Sequence, residues 1–419
     1  MRRRFAILAA LVVASLFFGL ADKTLSVPPR KVHRNASSTP QEHVSAVVDA
    51  GNHFAFDLYE RLRSAEGNLF FSPASISVAL TMTYVGAAEN TEAEMAKVLH
   101  LQMPKAQLNE EMRAVLSSWK TSDKKQGYRL QVANRLWGQE GFKFLADYLR
   151  VTREDFGAEL ARLDFNQPEA ARETINKWVE DNTQDKIKNL IPSASAVKGA
   201  RLVLTNAVYF KGDWREQFNK SRTKDESFHV SATHKVQAPL MNEQHHFQYA
   251  EEDGVQLLEL PYGDGSLSMV VLLPKKIDGL AELEEKLTAA SLEKWRADAQ
   301  SRDVIVFLPK FRTTAEFQLE GVLKSLGMAS AFDPSSADFS GMDGKKDLFI
   351  SAALHKAFVD VNEEGTEAAA ATGVVVRAMA IRRTQPPAVF RADHPFVFLI
   401  RDNRNDAILF LGRVVDPTR

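Results

Sequence analysis

The chain has 419 residues, with 53 Lys and Arg against 54 Asp and Glu, and therefore a formal net charge of −1. Because the chain has no global positive field to gather a polyanion, nucleic acid and anionic membranes are excluded as general partners. Cysteine is absent, which excludes disulfides, thiolate metal sites and a cysteine nucleophile. A chain of this length can bury enough apolar surface to fold without disulfides, even outside the cell.

The N-terminus has the pattern of a secretory signal peptide. Arginines at positions 2–4 precede an apolar run over 5–20 that ends among small residues. This layout predicts a signal peptide over residues 1–21, cleaved after Ala21, and a secreted protein with no membrane partner after cleavage. A retained anchor is the competing interpretation, but the run is short for a membrane span and charged residues follow it directly. Residues 22–42 contain several Pro, Ser and Thr and are predicted to form a flexible lead-in.

From residue 43 onward the hydrophobic pattern predicts mainly helices first and mainly strands later. Apolar residues recur at spacings of three and four over 44–62, which predicts an amphipathic helix. Short β-prone runs, such as 202–210 and those within 396–411, predict buried strands. This irregular order favours an α+β fold over a doubly wound parallel sheet. No second linker or internal repeat interrupts residues 43–419, which are therefore predicted to form one domain.

None of the common catalytic signatures occurs in the chain. The zinc-protease His-Glu-x-x-His, the hydrolase Gly-x-Ser-x-Gly, the phosphate-binding glycine loop and the dinucleotide-binding fingerprint are all missing. His245 and His246 are adjacent, but neighbouring side chains on a strand point to opposite faces, so we expect no shared metal. The sequence therefore predicts a protein that is not an enzyme and that needs no cofactor or metal.

An alanine-rich segment follows the strand-like run of residues 358–361. Four alanines at 368–371 favour a helix, because alanine has the highest helix propensity. Gly365 and Gly373 would confine such a helix to about two turns, which is too short to be stable alone in water. Three valines at 374–376 favour a strand instead. Propensity therefore leaves both interpretations open.

The strand interpretation gives the segment a simple two-sided pattern. One parity contains only small or β-branched side chains, namely Thr366, Ala368, Ala370, Thr372, Val374 and Val376. The charged residues Glu367 and Arg377 fall on the opposite parity. A strand that slides into a packed sheet needs this arrangement, because bulky side chains would overpack the core and an inward charge would be stranded there.

Ten consecutive residues of this segment carry a resemblance to a known family. They are Glu363, Glu364, Gly365, Thr366, Glu367, Ala368, Ala369, Ala370, Ala371 and Thr372. This run resembles the hinge of the reactive-centre loop in inhibitory serpins. Five further segments resemble serpin segments in the family's order, namely 68–77, 175–180, 205–214, 392–398 and 410–414. The resemblance therefore covers nearly all of the chain after the lead-in.

The resemblance implies a serpin fold and a single-use inhibitor. The fold would contain three β-sheets and about nine helices, with an exposed reactive-centre loop over about residues 363–389. A target serine protease would attack the loop and form an acyl-enzyme through its own serine. The cut loop would then insert into the central sheet and trap the covalent complex. The resemblance thus implies a serine protease partner and a monomeric inhibitor, with a non-inhibitory carrier, chaperone or storage serpin as the alternative.

The usual loop length of the family places the cleaved bond between Met379 and Ala380. An unbranched apolar side chain before the bond suits the hydrophobic primary pocket of chymotrypsin-like or elastase-like enzymes, whereas trypsin-like enzymes prefer Arg or Lys. The following stretch is longer than in many relatives and is basic. Arg377 and Arg382 are therefore alternative cleavage positions.

The resemblance also implies a polar cluster that helps to govern opening of the central sheet. Its predicted members are Ser72, Ser75, Asn206 and His355, with Trp214 at the point where the loop enters the sheet. Taken alone, His355 would be interpreted as a hydrogen-bonded core histidine and Trp214 as an ordinary core residue. The basic residues around 120–129 are interrupted by Asp123 and are interpreted as a solvated loop rather than a heparin-like site.

Overall fold

The computed structural model describes residues 40–119, 127–366 and 386–419, with side chains from residue 46 onward. All of these residues belong to one compact unit. The predicted signal peptide over residues 1–21 lies outside the described residues. No described helix combines the length and apolar character that a membrane span requires.

Ten α-helices occur in the described residues, against about nine predicted. They are α1 (Pro40–Leu62), α2 (Pro73–Tyr84), α3 (Glu89–Val98), α4 (Lys105–Trp119), α5 (Ala146–Glu154), α6 (Pro168–Asn182), α7 (Leu280–Lys286), α8 (Ala289–Ala297), α9 (Glu320–Leu326) and α10 (Ser340–Asp343). Helix α1 begins at Pro40, so the predicted boundary of the lead-in at residue 42 is too late. Proline is well suited to the first turn of a helix, where its missing N–H has no intrahelical acceptor.

Fifteen strands occur in the described residues. They are β1 (Leu69–Phe71), β2 (Tyr128–Gln139), β3 (Ala161–Leu163), β4 (Leu202–Asp213), β5 (Lys224–His229), β6 (Lys235–Glu252), β7 (Val255–Tyr262), β8 (Leu267–Pro274), β9 (Gln300–Pro309), β10 (Phe311–Gln318), β11 (Ile350–Asn362), β12 (Gly365–Thr366), β13 (Ala388–Arg391), β14 (Phe396–Asp402) and β15 (Ile408–Val414). The α+β class predicted from the order of the elements is confirmed.

The six-stranded sheet has the order β10-β11-β12-β4-β2-β3. Strand β11 runs parallel to β4, with residues 350–358 opposite residues 202–209. The two-residue strand β12 lies between the same two strands at one end of the sheet and is antiparallel to both. The direct β11–β4 pairing therefore ends where β12 begins.

The remaining strands form a second sheet of nine strands, with the order β1-β15-β14-β8-β7-β6-β9-β13 and with β5 on β6. The prediction of three sheets is wrong for the described residues, which contain two. Strand β6 is 18 residues long and pairs with β9 along residues 240–249 and with β7 along residues 248–252. Because one strand pairs with both neighbours, its hydrogen bonds join two groups of strands into one sheet.

The main core lies between the two sheets, and helix α2 contacts both β4 and β15 there. Phe70 stacks on Phe398 and Phe410 with ring centroids 5.7 Å and 5.2 Å apart. Helix α6 covers the other face of the six-stranded sheet and buries Ile175 and Val179 in a separate apolar cluster. The six-stranded sheet is therefore buried on both faces, and any strand that enters it must fit against packed side chains on each side.

Candidate functional site

The first residues of the predicted loop already occupy a place in the sheet. Strand β11 ends at Asn362, Glu363 and Glu364 form a tight turn, and Gly365 and Thr366 return as β12. Thr366 lies opposite Val361 of β11 and Gly212 of β4. The hinge is therefore inserted by two residues at the end of the β11–β4 pair.

Thr366 is completely buried on the inward face of the sheet. Its Oγ1 lies 2.8 Å from the hydroxyl oxygen of Tyr262 on β7, close enough for a hydrogen bond. Burial raises the pKa of Tyr262, and the hydrogen bond to Thr366 opposes part of that shift. A small β-branched hydroxyl residue fills this position, and a longer side chain would meet the Tyr262 ring.

Gly365 allows the hinge backbone to approach β4 closely. A Cβ atom at this position would lie 2.0 Å from the carbonyl oxygen of Gly212 and 2.6 Å from Cα of Asp213. Both of these atoms belong to the backbone of a central strand and cannot move away at low cost. The glycine is therefore required for the close contact between β12 and β4.

Trp214 lies beside this entry point, directly after β4. Its ring stacks on that of Tyr262, with centroids 4.5 Å apart and an interplanar angle of 12°. Its Nε1–H donates to the carbonyl oxygen of Asn362 at 2.9 Å, and its backbone N–H donates to that of Glu364 at 2.8 Å. Trp214 therefore holds both ends of the turn that leads into β12.

The two turn carboxylates are each paired with a lysine. Glu363 is buried, accepts a hydrogen bond from Thr223 Oγ1 at 2.9 Å and lies 2.9 Å from Nζ of Lys310. Burial alone would raise the pKa of Glu363, but the hydrogen bond from Lys310 and those from its other partners hold it below its ordinary value. Glu364 pairs with Lys220 at the surface. These contacts fix the turn on the neighbouring strands.

A second polar site lies in the middle of the β11–β4 pair. His355 on β11 is opposite Asn206 on β4, and the His355 ring donates from Nδ1 to Oδ1 of Asn206. Its Nε2 accepts the backbone N–H of Ser72 at 3.1 Å. Because a backbone N–H can only donate, the ring carries its single proton on Nδ1 and is neutral.

Ser72 and Ser75 attach this site to helix α2. Ser72 is the N-cap of the helix, and its Oγ accepts from the backbone N–H of Ser75 at 3.2 Å and donates to the carbonyl oxygen of Leu409 at 2.7 Å. The Oγ of Ser75 accepts from the side chain of Asn206 and donates to Oδ1 of Asn134 at 2.9 Å. One hydrogen-bond network thus connects α2, β2, β4 and β11.

The structure brings together Ser72, Ser75, Asn206 and His355, which are hydrogen-bonded to one another. Trp214 lies apart from these four residues, at the end of β4 beside the hinge. The chain path along β4 separates the two sites.

Two further residues belong to these sites, although no motif in the sequence marks them. Asn134 belongs to the cluster because the β2–β4 register places it opposite Asn206. Strand β2 also contains Arg129, Gln131 and Arg135, so no local pattern distinguishes Asn134 from the other polar residues of this strand. Tyr262 borders the hinge because β7 pairs with Trp214 through an isolated bridge, and no local pattern marked it.

Several predicted residues fall outside the described part of the chain. The hinge residues Glu367, Ala368, Ala369, Ala370, Ala371 and Thr372, and the candidate cleavage positions Arg377, Met379, Ala380 and Arg382, all lie within 367–385, and the basic residues at 120–125 lie within 120–126. Within the described residues, no group of three or more His, Asp and Glu side chains is arranged to hold a metal ion.

Burial lowers the pKa of His355 from 6.5 to about 3. The unfolded chain then binds a proton before the folded chain does, so the stabilising contribution is complete above about pH 6.5 and is lost as the pH falls. Replacing His355 with Gln retains one donor and one acceptor but removes the titration. Between about pH 6 and pH 4 we expect the stability of the wild type to fall more steeply than that of His355→Gln, by about 1 kcal/mol per pH unit.

The measurement is the urea midpoint followed by tryptophan fluorescence at several pH values. His234→Gln, a substitution of an exposed histidine, is the matched control and should follow the wild type. Equal pH dependence in the wild type and His355→Gln would contradict a neutral buried imidazole.

Comparison with known proteins places this geometry in a family. The family model "Serpin (serine protease inhibitor)" matches residues 49–417. Serpin B3 of Homo sapiens is 39% identical over 395 residues, which cover 89% of this chain and 100% of that protein. The leukocyte elastase inhibitor of Equus caballus is 41% identical over 382 residues, with coverage of 88% and 98%.

Solved structures agree with the sequence comparison. The structure of human thyroxine-binding globulin in complex with thyroxine superposes with a TM-score of 0.81 at 30% identity, and the match covers 91% of this chain and 100% of that one. Together with the inserted hinge and the hydrogen-bonded cluster beneath it, these matches establish that the chain belongs to the serpin family.

Proposed function

We propose that this serpin is an inhibitor of serine proteases that traps its target by inserting the cleaved loop into the six-stranded sheet. The observation that carries the proposal is the position of β12 between β11 and β4. The inserted part of the loop is already antiparallel to both neighbours, so further insertion extends a strand that exists. Each inserted residue then adds antiparallel pairing on two sides in place of one parallel pair, and antiparallel pairing is slightly more stable per residue.

The register of β12 predicts where the rest of the hinge would lie after insertion. Thr366 is opposite Val361 and Gly212, so continuing the antiparallel register places Thr372 between His355 and Asn206. The hydrogen bond between those two side chains would have to break, which explains why a polar cluster lies at this point of the pair. The small hydroxyl of Thr372 could bond to either side chain in the inserted state.

The same register explains the composition of the hinge. Ala370 would face the main core beside Val208 and Ala357, and Ala368 would face it beside Phe210 and Val359. These neighbours are already packed in the core, so small inserted side chains suit these positions. Glu367 would lie on the opposite face, between Lys211 of β4 and Asp360 of β11. Lys211 offers a charge of opposite sign there, and Asp360 already pairs with Arg312. The alternation of small and charged residues thus fits the side chains that already border the β11–β4 pair.

For the target, we propose a chymotrypsin-like or elastase-like protease that cleaves after Met379. The apolar side chain of Met379 suits a hydrophobic primary pocket. A relative with 41% identity is named leukocyte elastase inhibitor, which supports the same class. Arg377 and Arg382 are the competing positions for a trypsin-like enzyme.

The direct test is incubation of the protein with chymotrypsin, an elastase and trypsin in separate reactions, followed by denaturing gels. We expect a boiling-resistant band near the summed mass with chymotrypsin or elastase, and a released C-terminal fragment that starts at Ala380. A fragment that starts at Ala378 or Arg383 would assign the bond to Arg377 or Arg382. Met379→Arg should transfer trapping from chymotrypsin to trypsin.

Cleavage by all three enzymes without a covalent complex would contradict inhibition of these classes. It would favour a carrier role instead, since thyroxine-binding globulin, a hormone-binding protein by its name, has the same fold.

Replacing Thr366 with Arg tests loop insertion itself. An arginine at this buried position cannot enter the sheet with its charge unpaired. We expect the protease to cleave Thr366→Arg as a substrate, and the yield of covalent complex to fall at least about tenfold. Thr366→Ser, which retains the hydroxyl, should trap protease as the wild type does.

Ile277→Arg places the same charge at an exposed apolar position away from the hinge and should not affect trapping. Undiminished complex formation by Thr366→Arg would show that the protein does not work by inserting this strand.

We also propose that the protein is secreted. The apolar run at the N-terminus precedes the residues that match the family model, which start at 49, so this run is additional to the serpin fold. N-terminal sequencing of the protein recovered from the culture medium of the source organism should begin at Asp22. Recovery of the intact N-terminus from cell extract only would contradict export.

A further inference from the structure

A pocket with an arginine-rich lining lies on the side of the molecule formed by β2, β3 and α5. Its volume is about 400 Å³, and three arginines, Arg135, Arg153 and Arg162, line it together with Glu159 and apolar side chains. The three arginines and one glutamate give the pocket lining a formal net charge of +2. The whole chain is nearly neutral, so this concentration of positive charge in one concave site is local.

Arg135 is the innermost of the three arginines and is held in place by aromatic rings. Its guanidinium carbon lies 5.1 Å from the ring centroid of Trp137 and 4.7 Å from that of Trp178 on α6. The Nε1–H of Trp137 donates to Thr205 Oγ1 at 2.8 Å, which fixes one of these rings. The arginine head is therefore oriented before any ligand binds.

Among the residues that the structure describes, Arg135 has no carboxylate within bonding distance of its guanidinium group. Burial lowers its pKa, and the negative charge of Glu159 opposes this shift without a hydrogen bond or ion pair between the two. Within the described residues, no acceptor uses the five N–H donors of its guanidinium. None of its nitrogens is both buried and without a partner, so solvent reaches these donors. An external anion in the pocket could replace that solvent with charge-assisted hydrogen bonds.

The other two arginines are also available to a ligand. Arg162 lies on β3, the last strand of its sheet, where its guanidinium carbon is 5.9 Å from the Phe144 ring centroid. It makes no ion pair with any described residue. Arg153 in the last turn of α5 pairs with Glu154 only at 3.7 Å, with 64% of the side chain of Arg153 exposed. Such an exposed pair is weak and is easily exchanged for a stronger anion.

We propose that this pocket binds a compact phosphorylated ligand, with Arg135 as the buried anchor and Arg153 and Arg162 closing on the phosphate from two elements. The planar guanidinium group matches phosphate oxygens in a bidentate manner. A net lining charge of +2 complements a phosphate dianion. The small volume favours a phosphate ester or a diphosphate over a long sulfated polymer, which would need an extended basic stripe.

The test uses the full-length protein and two probes, inorganic phosphate and inorganic pyrophosphate, titrated at constant ionic strength with chloride as the balancing anion. Trp137 and Trp178 contact the anchor, so tryptophan fluorescence reports binding, and calorimetry gives the stoichiometry. We expect saturable binding at one site, tighter for pyrophosphate. A parallel titration with dextran sulfate tests whether a long sulfated polymer binds instead.

The variants distinguish this pocket from other basic surfaces. Arg153→Gln and Arg162→Gln should each weaken pyrophosphate binding by about tenfold, as expected for the loss of one charge-assisted hydrogen bond. Glu159→Gln removes the only carboxylate of the lining and should tighten binding severalfold. Arg201→Gln is the control, because Arg201 also lies over an aromatic ring, that of Phe142 at 5.3 Å, but does not line the pocket.

Arg135 packs against two tryptophans, so its replacement would also disturb the packing around it. The test therefore uses the Arg153 and Arg162 variants instead. The proposal is overturned if neither probe gives saturable binding below about 10 mM, where the binding free energy is small. It is also overturned if the Arg153 and Arg162 variants bind as the wild type does, or if only dextran sulfate binds.

Discussion

The parallel pairing of β11 with β4 is the constraint on which the rest of this structure depends. These two strands lie at the centre of the six-stranded sheet, and their backbone hydrogen bonds run from residue 350 to residue 358 of β11. Helix α6 covers one face and the main core the other. A loop strand could enter between β11 and β4 only by replacing these hydrogen bonds. The contacts of the hinge therefore bear on how these two strands are held together and where they would separate.

Two sites act on this pair in different ways. At its middle, His355 and Asn206 bond across the two strands and connect them to the N-terminus of α2 through Ser72 and Ser75. At its end, the hinge backbone is already inserted, with Gly365 against β4 and Trp214 holding the turn. One site therefore bonds the two strands to each other, and at the other site the hinge already lies between them.

Polar groups in the middle of a buried sheet are unfavourable unless all of them are hydrogen-bonded. The cluster meets this condition in the closed sheet, since the ring of His355 uses both nitrogens and Asn206 uses both ends of its amide. An apolar pair at this position would close the sheet more firmly. The use of breakable hydrogen bonds is consistent with a sheet that must open once, and it links the energetics of the fold directly to the proposed function.

The arginine pocket lies on the half of the six-stranded sheet that contains β4, β2 and β3. Trp178 of α6 and Trp137 of β2 both contact its anchor, Arg135, so the pocket is part of the packing between the sheet and α6. Arg135 is also opposite Thr205 of β4, and Trp137 donates a hydrogen bond to Thr205. The pocket is therefore directly joined to one of the two strands between which the loop is proposed to insert.

The sequence by itself determined the α+β class and the family. These depend on local information: runs of apolar residues with a fixed period, glycines at the ends of an alanine-rich segment, and short motifs in a fixed order. His355, Asn206, Ser72 and Ser75 were also identified from motifs, although nothing in their spacing showed that they touch. Only the register of β11 on β4 and the N-cap of α2 bring them together.

The tertiary structure alone decided the features that depend on long-range pairing. Strand β6 pairs with both β7 and β9 and so joins two groups of strands into one sheet, which reduces the three implied sheets to two in the described residues. Asn134 and Tyr262 join the two sites because strands distant in sequence are neighbours in the sheets. Arg135, Arg153 and Arg162 form a pocket because α5 and β3 fold against β2. Local propensity contains no information about such contacts, since their free energy comes from packing between segments that are far apart in the chain.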